Sequence, residues 1–429
     1  MPDVNALRIT WIEARRSAAL WLGALGAAVA AAMLGDPERW DGLWMQTVLV
    51  HQANLALLWP FAVAAGAWQG RRDHAARVGD LVRAAPRPGA SRVAPLAFVL
   101  AGALGGGWIA ASAPGIGRAV LAASYRPPGW YWPLLVGGLA MGAAGLLGLG
   151  LGRLLPSRLT APLLGVAGVV LSVVPLVIWR GSDAPALLLV PGNLGESTDE
   201  WATVATRADV GQALWFAGLA AAGWALYAGA RYWSAVPAVI GLAAAVLVLP
   251  AADRAAPRDV HAVELVCADG TPRVCVTRLY EPILPALVGP AREALALLAK
   301  LPDPPTSVVQ ETAPYASFVA QRRDTVHLLL TVYGDGSTLD LTNAVLDGAG
   351  TWACGAPDDD LATWDRILAA REAAALWLRG GTSADPLVAD ALNALRALPA
   401  ADQAARVGAM REAALACRKD QYETLLRPN

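Results

Sequence analysis

Apolar and polar positions follow two different rhythms along this chain. From Ser17 to about Ala252, long apolar runs are broken by short polar loops, whereas beyond Ala252 charged residues are spread as in a water-exposed domain. A membrane-crossing helix needs about 20 consecutive apolar residues. Runs of this kind lie at about 17–34, 44–68, 93–113, 130–152, 160–179, 212–230 and 234–252. They predict about six to seven crossings, because the last two, separated only by Ala230-Arg231-Tyr232-Trp233, could form one bent unit. Trp44, Trp68, Trp130, Tyr131, Trp132, Trp179 and Tyr232 fall near the ends of these runs, where amphipathic rings settle at a membrane interface. Gly102-xxx-Gly106 and Gly138-xxx-Gly142, continued by Gly145, Gly148 and Gly152, predict close approach between helix backbones.

The region after Ala252 reads as α+β. Strands are expected at about 261–267, 273–279, 306–312 and 325–333, with helices near 283–300 and 341–348. Helical spacing resumes from about Asp358, is interrupted at Thr382–Pro386, and returns in a last helix from about Ala401 to Leu426. The domains expected are therefore 1–252, a transmembrane permease-like part, and 253–429, an extracytoplasmic α+β part, joined by the short linker AADRAAPRDV. The fold class is a membrane α-helical bundle followed by a disulfide-bearing α+β domain.

Composition agrees with this division. Hydrophobic residues make up 56% of the chain and charged ones 16%, below the roughly 25% usual for soluble domains. A formal net charge of −1 gives no reason to expect a nucleic-acid partner. The lysines are Lys300 and Lys419, almost all other basic side chains being Arg, and with abundant Ala and Gly this suggests a high-GC bacterial source.

Arginine placement sets an orientation. With the N-terminus in the cytoplasm, inside segments carry Arg8, Arg15 and Arg16, then Arg71, Arg72, Arg77, Arg83, Arg87 and Arg92, then Arg153, Arg158 and Arg231. An odd number of crossings puts the C-terminal domain outside. Cys267, Cys275, Cys354 and Cys417 all lie in that domain, as expected of disulfides in an oxidising compartment. Four cysteines allow three pairings, or free buried thiols. The Asp269-Gly270 turn in VELVCADGTPRVCVTRLY predicts a hairpin and favours Cys267–Cys275 with Cys354–Cys417.

Candidate chemistry is sparse. Gln46, His51, Gln52 and Asn54 interrupt the second apolar run; polar groups at that depth face a bundle interior or a water-filled path, so they are the candidate substrate path, or else interhelical hydrogen bonds. No GxxxxGK[ST] loop and no HExxH motif occur, and His261 and His327 stand apart. These features predict no catalytic residues, metal site or cofactor in this chain.

Gly70–Pro95 is a basic, amphipathic stretch between two apolar runs. Arg71-Arg72-Asp73-His74 opens it, Val78-Gly79-Asp80-Leu81-Val82 forms its apolar centre, and Arg83-Ala-Ala-Pro86-Arg87-Pro88 leads into the next run. In this it resembles the membrane (permease) subunits of the ABC-type-2 exporter family, which carry a charged amphipathic helix between their second and third spans. The resemblance covers roughly the first 230 residues and is strongest over about 25 of them. It implies an ATP-driven transporter working as a homodimer or paired permease, with ATP and Mg held by a separate ATPase subunit. That subunit would contact Arg71, Arg72, Asp73, His74, Arg77, Val78, Asp80, Leu81 and Arg83. The chain departs from the family plan in its seventh run, its large C-terminal domain, and the lack of a clear match for the acidic residue that opens the charged helix. The alternative expectation is a membrane-anchored receptor whose outer domain binds a ligand or partner.

Overall fold

The computed structural model describes residues 4–34, 43–76, 89–123, 125–179, 182–196, 199–230, 232–312, 321–330, 340–352 and 361–418. The chain is mostly helical, with one small mixed sheet. It divides into two compact units, Met1–Asp259 and Val260–Asn429.

In the first unit the helices are α1 (Val4–Arg16), α2 (Ala19–Met33), α3 (Trp44–Ala53), α4 (Leu55–Gly70), α5 (Gly89–Ala111), α6 (Ala113–Ala122), α7 (Tyr131–Leu154), α8 (Thr160–Ile178), α9 (Thr206–Ala228) and α10 (Val236–Val248). The apolar runs are helical, but several are not single straight crossings. A bend of 62° separates α1 from α2, and one of 50° separates α3 from α4. The second bend falls at Asn54, whose carbonyl accepts from Leu57 N (3.2 Å) and Leu58 N (3.0 Å) while its own N–H turns back to His51 O (3.1 Å). The run at 93–113 extends through a break at Ser112 to Ala122. Among the described residues, Val93–Ala122 and Tyr131–Leu154 are each long and apolar enough to cross a membrane, and the total reaches four if each bent pair counts as one crossing. Helix α10 has 13 residues, about 20 Å of rise against the roughly 30 Å of a hydrocarbon core.

Helix α7 sits at the centre of this unit, packed against α4, α5 and α9. Glycine makes the closeness attainable. An added Cβ at Gly148 would meet Val63 O, at Gly152 Ala67 O, at Gly66 Gly145 O and at Gly70 Leu149 O, all backbone atoms that cannot swing aside. Gly138 likewise faces α5, across Gly105. Gly102 and Gly106 depart from the expected pattern: nothing lies within 4 Å of a Cβ at either. The intervening Gly105 and the following Gly107 make the close contacts of α5, to Gly138 and to Gly23 of α2. Leucines and valines of α8 and α10, including Leu163, Val170, Leu171, Val239 and Leu247, are exposed, as helices facing lipid would be.

The second unit begins seven residues later than the sequence suggests, because Asp253–Asp259 is not a free linker. Ala202 bridges Arg258, Thr203 N donates to Pro257 O at 2.8 Å, and the Arg258 guanidinium pairs with Asp199 at 2.5 Å. Beyond it come β1 (Leu265–Cys267), β2 (Arg273–Thr277), α11 (Leu284–Leu298), β3 (Ser307–Gln310), β4 (Thr325–Leu328), α12 (Leu341–Leu346), α13 (Leu361–Arg379), α14 (Pro386–Arg396) and α15 (Ala400–Leu415). The sheet order is β1-β2-β3-β4. The β1–β2 pair is antiparallel, with Cys267 opposite Cys275, and Gly270 at φ 91° makes the tight turn between them. Strands β2, β3 and β4 are parallel neighbours, and α11 supplies the crossover from β2 to β3. Val274, Val276, Val308, Val326 and Leu328 meet Leu287, Ala291, Leu295 and Leu298 in the core of this unit.

Cys267 and Cys275 form the expected disulfide. Cys417 is also disulfide-bonded; Cys354 lies outside the described residues, as do residues 419–426 of the expected last helix.

Candidate functional site

Three of the four polar residues of the second run are buried, and each reaches a backbone carbonyl of another segment. Gln46 Nε2 donates to Asp199 O at 2.8 Å. His51 Nε2 lies 3.0 Å from Trp108 O, and Gln52 Nε2 donates to Pro133 O. The His51 bond has a structural origin in α5. At the Ser112 break, Ser112 N turns to Ile109 O at 3.2 Å, and His51 engages the carbonyl one residue earlier. A carbonyl only accepts, so Nε2 is the donor in this bond. The imidazole stacks on the Trp108 indole, with ring centroids 3.8 Å apart.

Gly137 brings these groups together from α7. A Cβ there would lie 2.5 Å from Trp108 Nε1 and 2.9 Å from Gln52 Oε1. His51 Nδ1, Gln52 Oε1 and Trp108 Nε1 are all buried without a hydrogen-bond partner. The cluster thus offers one acceptor, Gln52 Oε1, and one donor, Trp108 Nε1, beside the second imidazole nitrogen. The described residues give no charged side chain bonded to it. Asn54 is set apart at the bend, its Nδ2 also without a partner. Trp108 and Gly137 escaped the sequence reading. The only available hint was a tryptophan in mid-run at Trp108, and a lone aromatic there is no different from a core residue.

The two ends of the first unit differ in chemistry. At one end, Arg72 Nη1 pairs with Glu13 Oε1 of α1 at 2.6 Å. Gly70 packs against Leu149 near the end of α7, and Arg153 Nη1 donates to Tyr227 O near the end of α9 at 2.7 Å. Arg71 follows α4 directly, and Arg72–Ala75 form a single helical turn that includes Asp73 and His74. Arg77, Val78, Asp80, Leu81 and Arg83 lie outside the described residues. At the other end, Trp44 and Trp130 pack with ring centroids 4.6 Å apart. Arg126 sits 5.9 Å over the Trp44 ring, and Tyr125 Oη donates to Asp259 Oδ2 at 2.7 Å. The last residues of the first unit are therefore at this aromatic end, away from Arg72.

Asp209 is buried in the first turn of α9 with Oδ1 unpartnered. Gln212, one turn on, donates to Leu188 O at 2.8 Å.

In the second unit, His327 Nδ1 lies 2.9 Å from Glu311 Oε2 and Arg322 N donates to His327 Nε2 at 3.3 Å. Both ring nitrogens are engaged, so this pair holds β4 to the strand beside it and leaves no lone pair facing outward. Among the described residues of this unit, two guanidinium groups are buried. Arg371 Nη2 contacts Asp347 at 2.5 Å and Thr351 O at 2.7 Å. Arg411 donates to Ala349 O at 3.2 Å and Arg323 O at 2.8 Å. Burial lowers the Arg411 pKa from its ordinary value. Among the described residues, no three His, Cys, Asp or Glu side chains converge as metal ligands would.

No family model, curated protein or solved structure matches this chain.

Proposed function

We propose that this chain is the membrane subunit of an ATP-driven export complex, with a separate ATPase subunit docking on residues 70–95. In this reading the helical runs make six or seven crossings of the cytoplasmic membrane. The N-terminus and the 70–95 loop face the cytoplasm, and the second unit is extracytoplasmic. The cargo class is a small molecule, peptide or lipid, and two copies or a paired permease complete the pathway. The observation that carries the proposal is the loop's point of departure. It leaves the end of the bundle where α1, α4, α7 and α9 meet among arginines, tethered by Arg72–Glu13, while the chain runs on to the second unit from the opposite end. A push on the loop would thus be delivered to helices that cross the whole bundle.

Charge reversal tests it. Arg72→Glu with Arg77→Glu is expected to abolish co-purification of an ATPase subunit from native membranes. Adding Glu13→Arg, which restores the internal pair at position 72, should leave the loss in place. An intact complex with normal coupled activity in the double variant would sink the proposal.

The receptor reading draws on a different observation: the second unit has its own core and its own disulfide, as a ligand-binding module would. Tight binding of a small ligand by the full chain, with no ATPase subunit in the complex, would favour it.

A further inference from the structure

We infer that α1 is a docking surface for anionic lipid headgroups. Arg8, Trp11, Ile12 and Arg15 are spaced so that they share one helix face, and all four, with Arg16, are exposed. Trp11 is 59% and Ile12 41% exposed, a large apolar area to leave in water on a 13-residue helix. The Arg15 guanidinium sits 4.5 Å over the Trp11 ring. The opposite side of the helix is committed inward: Ala14 packs on the bundle core and Glu13 is held by Arg72. Within the described part of α1, Glu13 is the acidic residue, so its engagement leaves the outward face with cations and apolar groups alone.

The occupant follows from what lies on either side. Beyond the 62° bend, α2 exposes Leu20, Trp21, Leu25 and Val29, a surface suited to acyl chains. If α2 crosses the bilayer, α1 lies closer to the membrane plane than to its normal, with Trp11 and Ile12 dipping into the headgroup boundary and the arginines level with phosphates. Arg158, Tyr232 and Trp233 are exposed as well, on the segments following α7 and α9, whose ends lie at this same end of the bundle. Positive charge beside interfacial aromatic rings complements an anionic leaflet, and each arginine near such a surface contributes about 1 kcal/mol, a roughly fivefold gain in affinity.

The test uses the full chain in a neutral detergent, with phosphatidylglycerol and phosphatidylcholine of identical acyl chains as probes and native mass spectrometry as the readout. The expected result is a preference for phosphatidylglycerol of about tenfold or more, shrinking as salt is raised. Arg8→Gln/Arg15→Gln/Arg16→Gln should bring phosphatidylglycerol down to the phosphatidylcholine level without changing the latter, and Arg8→Lys/Arg15→Lys/Arg16→Lys should keep most of the preference. Should the triple Gln chain fail to fold, Arg15→Gln alone is expected to lose roughly fivefold. Equal binding of the two lipids by the unsubstituted chain, or a preference surviving loss of the arginines, overturns the inference. So does a triple Gln chain that keeps its lipid preference and loses an ATPase partner, since α1 would then be a protein-binding face. Because lipid binding is read on the chain alone, its outcome is independent of whether the ATPase reading holds.

Discussion

Asp340 shows how one carboxylate can tie a short helix into the second unit. It caps α12 by accepting from Asn343 N at 3.0 Å, and Arg379 of α13 pairs with it from the other side. Partial burial favours its protonated form, but the Arg379 bond and the helix amides outweigh that, and the net pKa lies below the ordinary value. A carboxyl depressed on folding stabilises above its unfolded pKa and loses that contribution as pH falls through the folded one, here below about pH 4. Asp340→Ala should therefore speed amide exchange over residues 341–346 about fivefold at neutral pH, matching a cap worth about 1 kcal/mol. The gap from the unsubstituted chain should close as pH falls below about 4. A gap that is the same at pH 7 and pH 3 would mean the charge is irrelevant. Single residues were only partly legible in the sequence. His51, Gln52 and Gln46 stood out because polar groups are costly among apolar ones, yet their partners are backbone carbonyls of distant segments, and no side-chain pattern announces those.

At the scale of elements, periodicity gave most of the helices and strands, and the Asp269-Gly270 turn gave the hairpin with its disulfide. The bends were hidden. The run at 44–68 is continuously apolar enough to pass as one helix, and the break at Asn54 costs nothing in hydropathy. Glycine spacing was informative about α7 and misleading about α5. Gly102 and Gly106 have the same four-residue interval as Gly148 and Gly152, but the rotation of α5 about its axis decides which glycines meet a neighbour, and rotation is fixed by packing. Gly148→Val should thus be severe, lowering the melting temperature of the full chain in detergent by the equivalent of about 3 kcal/mol or preventing folding, as overpacking against backbone does. Gly102→Val should shift it little. Equal effects at the two positions would show that α7 and α4 are not in backbone contact.

For the whole molecule, the division into an apolar helical part and an α+β part was plain from charge density. Read from charge density, the boundary falls seven residues early because Asp253–Asp259 carries charges like a linker while pairing with Asp199, Ala202 and Tyr125. The separation of an arginine end from an aromatic end needed the fold, since it depends on which helix ends come together. Sidedness is testable directly. In intact cells a membrane-impermeant maleimide should label Leu387→Cys, exposed on α14, and label His74→Cys only after permeabilisation. Labelling of both in intact cells would reverse the proposed topology of one of the two segments.

The backbone contacts around α7 carry a mechanical consequence. Where two helices touch through atoms of the main chain, neither can slide or roll without one carbonyl driving into the other's α-carbon, so α4, α5, α7 and α9 behave as a single stiff keel. Any cycle that opens and closes a passage must take its compliance from elsewhere: from α8 and α10, which present leucine and valine faces outward, or from the bends at Ser17–Ala18 and Asn54. The bare track of Gly102 and Gly106 leaves room on that keel for a further helix to be berthed at backbone distance.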